Sequence, residues 1–178
     1  MENPARERGL TLLELLITLT ILAILLAIGV PVFSRQIHNS RLAANTEELR
    51  SAIQLARATA VSRNQRVTLR NSGSWESGWQ AFADDNNNGA LDDGEQLLFS
   101  SGPLQSVRVA PNGPVTDYVS FIGTGESRKV GSAMGAFLGG TIKVCSADNS
   151  RGYSLVLFRS GRLRTGKLDG DDCTPADS

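Results

Sequence analysis

An uncharged apolar run from Leu15 through Phe33, with one carboxylate, Glu14, at its near edge, constrains this chain more than any other feature. Its 19 residues are about what an α-helix needs to cross the hydrocarbon core of a bilayer. A short charged leader, Met1 to Arg8, precedes it, and Arg6 and Arg8 agree with a cytoplasmic N-terminus. An ionisable group at the edge of such a segment is costly unless it finds a partner. Glu14 is therefore a candidate functional residue by position alone.

A secretory signal closes on its far side with a small-x-small cleavage site. Here Gly29-Val30-Pro31-Val32 leads on into polar helix, and the small residue, Gly9, stands before the run. An uncleaved single-pass anchor is the plain alternative. The order of parts resembles the leader of type IV pilins and type II secretion pseudopilins, whose pattern is Gly-Phe-Thr-Leu-x-Glu. This chain reads Gly9-Leu10-Thr11-Leu12-Leu13-Glu14, with Leu10 in place of the usual Phe.

The resemblance implies that a membrane peptidase cuts after Gly9, that Leu10 becomes the N-methylated terminus, and that Glu14 is the fifth mature residue. Residues 1–9 are then the leader and 10–34 the transmembrane half of a helix. Residues 35–64 are its amphipathic periplasmic half, and 65–178 a β-rich periplasmic domain. A carboxylate in lipid seeks a cation, and the amino terminus of a neighbouring subunit supplies one, which sets register along a fibre. The alternative is that Glu14 snorkels to the headgroups.

The chain's 178 residues suffice for a span plus one globular domain. Acids and bases balance at 18 each, and removing Glu2, Arg6, Glu7 and Arg8 with the leader leaves 16 of each. Net charge thus points to no partner, but its distribution is uneven. Seven arginines face only Glu47 and Glu48 between Arg35 and Arg70, whereas Asn71 to Ser100 holds six acids and no base. Cys145 and Cys173 belong to no Cys-x-x-Cys or Cys/His group, so metal ligation is not expected. In an oxidising compartment a disulfide between them is the default, with two free buried thiols as the alternative. It would tie the C-terminal tail to the sheet and contribute about 3 kcal/mol through the loop it closes.

Past Gly29 and Pro31, which should bend the helix, the pattern turns amphipathic. Ile37, Leu42, Leu49, Ala52, Ile53, Ala56 and Ala60 recur at helical spacing, and the helix should end near Arg63. Alternating segments follow at 66–70, 79–82, 96–99, 107–109, 118–121, 140–144 and 153–158, with Leu163 centring a last strand. A long helix packed against a mostly antiparallel sheet reads as α+β. This resembles the GspH/FimT (FimU) group of minor pilins and pseudopilins, whose sheets wrap the C-terminal half of the helix. The glycine-rich stretch from Gly123 to Gly140 has little pattern and is expected to be a mobile loop.

Two loops carry candidate chemistry. Asp84 to Glu95 fits the twelve-residue calcium-loop pattern, with Asp84, Asn86, Asn88, Asp92 and Glu95 offering oxygens and Gly89 at the sharp turn. Strands rather than helices flank it, and similar loops recur in the resembled group as hairpin connections. A hydrated, cofactor-free turn is therefore expected, with calcium as the alternative. Near the C-terminus, Ser160-Gly161 reads as a two-residue hairpin turn that sets Arg159 opposite Arg162. Alternation puts Arg162 and Arg164 on one face and Leu163 toward the core.

With Lys167 just beyond, these cations would make a phosphate-binding edge. The arrangement resembles the Gly-Arg-x-Arg signature of FimT-like pilins that capture DNA for natural transformation. A solvated face neutralised by Asp169, Asp171 and Asp172 is the bland reading. No aromatic alternates with the arginines, so base stacking is not expected.

His38 reads as a surface residue, and Trp75 and Trp79 as packing residues. Nothing reads as a nucleophile–base pair, so the chain is not expected to be an enzyme. The expected function is a minor pilin of a type IV pilus, with other pilins, the prepilin peptidase, the inner membrane and double-stranded DNA as partners. A type II secretion pseudopilin is the second reading, and an anchored periplasmic binding domain that never polymerises is the third.

Overall fold

The computed structural model describes residues 12–131 and 135–173. Gly9 and Leu10, the expected cleavage and methylation positions, lie outside the described residues. Helix α1 spans Leu12–Arg63, and the chain divides after His38 into two compact units.

In the first unit, Leu12–Val30 has a mean hydropathy of 2.6, and none of the stretch is buried within the chain. By length and composition it is long and apolar enough to cross a membrane. Its two hydroxyls are satisfied inside the helix: Thr18 donates to Leu15 O and Thr20 to Leu16 O, both at 2.8 Å. That is the arrangement an apolar solvent requires. Glu14 lies in the first turn, and helical backbone continues through Gly29 and Pro31.

The second unit starts at Asn39. Leu42, Thr46, Leu49, Ile53, Ala56 and Ala60 are buried at spacings of three and four, the stripe of a half-buried helix. Ile37, placed in the same stripe by sequence, is exposed, and the packed stripe begins at Leu42. The helix stops where Asn64 turns left-handed, φ 50°, and Gln65 N closes back onto Ala60 O at 3.2 Å.

The strands are β1 (Val67–Asn71), β2 (Trp79–Ala83), β3 (Leu97–Ser101), β4 (Val107–Pro111), β5 (Tyr118–Phe121), β6 (Gly140–Ser146), β7 (Arg151–Leu157) and β8 (Leu163–Asp169). They form two antiparallel four-stranded sheets, in orders β3-β2-β1-β5 and β4-β6-β7-β8. The helix stripe and both sheets share one core, which takes in Trp75, Trp79, Phe121, Leu138, Ile142 and Leu155. Trp75 buries its ring and satisfies its N–H on Val115 O at 3.0 Å. The fold is α+β.

A short helix, α2 (Gly170–Cys173), ends at the disulfide that joins Cys173 to Cys145 of β6. Gly152, opposite Cys145 in the ladder, leaves room for it: a Cβ there would come within 2.6 Å of Cys173 Sγ and 2.7 Å of Val144 O.

The stretch from Gly123 to Gly140 differs from its reading as a mobile loop. In its described residues it ties the two sheets together. Ser127 bridges to Phe121 in the first sheet, and its buried hydroxyl lies 2.6 Å from Leu138 O and 3.0 Å from Phe158 O beside the second. Arg128 N donates to Ser120 O at 3.0 Å and Lys129 N to Ala136 O at 2.8 Å. These bonds are polar and irregular, so hydrophobic periodicity carries no trace of them.

Candidate nucleic-acid interface

The β7–β8 connection is a three-residue loop, Arg159-Ser160-Gly161, rather than the two-residue turn expected. Gly161 N donates to Phe158 O at 2.8 Å, and Phe158 N to Arg162 O at 2.9 Å, so Phe158, not Arg159, stands opposite Arg162. A two-residue turn of the usual kind needs positive φ ahead of the glycine. Only Gly161, φ +74°, provides it here. Strand β8 consequently begins at Leu163 instead of centring on it.

The turn is clamped from outside. Arg57 of α1 donates through Nε to Gly125 O at 2.8 Å and through Nη2 to Ser160 O at 3.2 Å. A Cβ on Gly161 would lie 2.0 Å from Gly125 O and 2.6 Å from Arg57 Nε, so only glycine fits. Arg57 was not legible as part of this site, because its partners are 68 and 103 residues away.

Register sets the faces. Leu163 pairs with Leu157 and packs against the core, while Arg164 pairs with Val156 on the opposite, outward face. Arg162 and Arg164 are exposed, as are Arg159 and Lys167. All four lie along the β8 edge or its turn, but Lys167 shares the parity of Leu163, so its Cβ leaves the other face from Arg164. Among the described residues no carboxylate lies within ion-pair distance of any of the four; the ion pairs found there are Arg50–Glu47 and Arg128–Glu126. Asp169 is instead registered against Arg151, and Lys143 donates to the Asp172 carbonyl at 2.7 Å. The edge therefore carries cationic groups directed at solvent, the chemistry that meets phosphate.

The Asp84–Glu95 connection is organised in the opposite way. Asp84 is 1% exposed and accepts from the Thr68 hydroxyl at 2.7 Å, Asn88 N at 3.0 Å and Gly89 N at 3.1 Å. Asn86 Oδ1 accepts from Asn88 N, Asn88 Oδ1 from Ala90 N, and the two Glu95 oxygens from Asp85 N and Asp92 N. Amide groups of Asn86 and Asn88 donate to Asp92 and hold its carboxyl below the usual carboxylate range. Arg70 caps Gly89 O at 2.7 Å. Behind the loop, Arg66 donates to Ser120, whose hydroxyl lies 2.9 Å from that of Thr68. Burial pushes the Arg66 guanidinium below its ordinary value, and Asp84 opposes that shift.

Residues 45–161 match the protein family described as Type II transport protein GspH, and residues 4–30 match the prokaryotic N-terminal methylation motif. Pilin-like protein PilA1 of Thermus thermophilus is 37% identical over 110 residues, covering 59% of this chain and 68% of that protein. The type IV minor pilin FimU of Pseudomonas aeruginosa superposes with a TM-score of 0.54 at 17% identity, over 72% of this chain and 90% of that one, a likeness of fold. The GspH match ends at Gly161, so the arginines of β8 rest on their own geometry. It nonetheless covers well over half of the chain, and with the methylation motif ahead of it the chain belongs to the GspH family of type IV minor pilins and pseudopilins.

Proposed function

We propose that this chain is a minor pilin of a type IV pilus that contacts DNA through the β7–β8 hairpin during uptake. Members of the family are structural subunits, and the methylation motif implies processing by the prepilin peptidase and packing with other pilins. On this reading the chain is cut after Gly9 and methylated on Leu10. It is held in the inner membrane by the apolar half of α1, with its C-terminal domain in the periplasm. Glu14 pairs with the amino terminus of a neighbour. Gly9→Ala should block processing, and Glu14→Ala should prevent incorporation into fibres. Normal fibre function with Glu14→Ala would favour a non-polymerising anchored domain.

The observation that carries the DNA reading is the exposed row of Arg159, Arg162 and Arg164 on a sheet edge, with no acid in ion-pair reach among the described residues. Lys167 extends the charge along the same strand. Binding through phosphates should be strongly salt-dependent. Its test is a titration of labelled duplex with the full chain in detergent, beside Arg162→Ala/Arg164→Ala. Salt-sensitive binding lost in the double variant supports the reading, and equal binding by both proteins removes it.

A second reading, a pseudopilin priming a periplasmic fibre for type II secretion, is favoured by the family description itself. It predicts no duplex binding even at low salt. The Asp84–Glu95 loop we read as a cofactor-free turn, because its oxygens are already met by N–H and O–H donors.

A further inference from the structure

The β7–β8 hairpin has no aromatic residue in alternation with its arginines, which by itself argues for contact through phosphates alone. Folding changes that surface. Phe137 and Phe158 are 43% and 42% exposed, unusual for rings of this size in a domain that buries Phe82 and Phe121. The segments that carry them meet at Ser127: its hydroxyl lies between Leu138 O and Phe158 O, and its N–H donates to Arg159 O at 3.3 Å. The guanidinium carbons of Arg128 and Arg159 lie 4.1 and 5.4 Å from the Phe137 ring centroid. Arg128 is held there by Glu126 at 2.8 Å and Gly135 O at 3.1 Å. Arg159 has no carboxylate in ion-pair reach among the described residues.

We propose that Phe137 and Phe158, with Arg159, form a stacking platform for unpaired bases, so that this edge takes single-stranded DNA in a mode closed to duplex. The proposal rests on the reading of the hairpin as a DNA contact. A ring stacks on a base only where the base face is open, and in a duplex the neighbouring pairs cover it. Cations around the rings supply the complementary charge. Arg162 and Arg164 are two residues apart, roughly 6–7 Å along the chain, close to the separation of successive phosphates in an extended strand. The exposed Arg159 contact with Phe137 is one that a base can replace, the guanidinium then stacking on the free face of that base.

The test is fluorescence anisotropy of the full chain in detergent with labelled oligothymidine and with a duplex of equal length. Phe137→Leu/Phe158→Leu keeps the apolar volume but removes the π faces. It should weaken oligothymidine binding about five- to a hundredfold while leaving duplex binding within about twofold. Phe137→Tyr/Phe158→Tyr should restore it. Unchanged oligothymidine binding by the leucine variant, or an equal loss on both ligands, overturns the platform and leaves the hairpin as a phosphate contact. Failure of the wild-type chain to bind either ligand overturns the platform and the DNA reading together.

Discussion

The β2–β3 and β7–β8 connections carry opposite charge and handle it differently. The acidic one engages the carboxylates of Asp84, Asp92 and Glu95 with backbone N–H groups, the Thr68 hydroxyl and the amides of Asn86 and Asn88, and leaves Asp85 and Asp93 exposed. In the basic one the backbone is what is held, by Arg57 and Ser127, while the side chains of Arg159, Arg162 and Arg164 point outward. Three carboxylates of the first loop have hydrogen-bond donors within the loop and its neighbouring strand, whereas the arginines of the second have no carboxylate in ion-pair reach among the described residues. Charge density alone does not mark a binding surface; the whereabouts of the counter-groups does.

That contrast can be broken in order of expected effect. Gly161→Val places a Cβ on Gly125 O at a left-handed backbone position, and should destabilise the domain by about 2–4 kcal/mol in chemical unfolding. Asp84→Ala strips the acceptor from Thr68, Asn88 and Gly89 and should cost about 1–3 kcal/mol. Arg162→Ala/Arg164→Ala should stay within about 0.5 kcal/mol of wild type. In DNA titrations, however, it should lower the slope of log affinity against log salt by about 1.5–2.

A smaller effect belongs to Asp148, in the turn between β6 and β7. Hydrogen bonds from the Ser146 hydroxyl and then from the Ser150 amide and hydroxyl hold its carboxyl at about 2, below the ordinary 3.8. Stability gained this way is present above the ordinary value and lost as pH falls through about 2. Asp148→Asn should therefore flatten the acid end of the unfolding curve in that window. The smallest effect is expected from calcium. Millimolar calcium against chelator should leave the thermal midpoint unmoved, and a rise of several degrees would assign the Asp84–Glu95 oxygens to an ion.

Much of the architecture was legible because burial leaves a period. The stripe from Leu42 to Ala60 and the eight alternating segments correspond to α1 and to β1 through β8. Pairing was not legible, since alternation tells which face a strand buries but not which strand lies beside it. Hence the division of the strands into two sheets, with β4 leaving its sequence neighbours to pair with β6, left no sign in the sequence. In the hairpin, the outward placement of Arg162 and Arg164 followed from Leu163 facing the core, but the turn type did not. Ser160 keeps an ordinary backbone conformation, and a bulge at Gly161 moves Phe158 into the place expected for Arg159. Phe137 escaped notice because it lies in a stretch whose order comes from isolated long-range hydrogen bonds.

The most direct test sets the two loops side by side, measuring thermal midpoint and duplex affinity for Asp84→Ala and for Arg162→Ala/Arg164→Ala in the full chain. The predicted result is a crossed pattern. Asp84→Ala lowers the midpoint and, measured well below it, binds DNA like wild type; the arginine variant keeps its midpoint and loses salt-sensitive binding. A lowered midpoint in the arginine variant, or retained binding by it, would contradict the assignment of inward charge to the fold and outward charge to a partner.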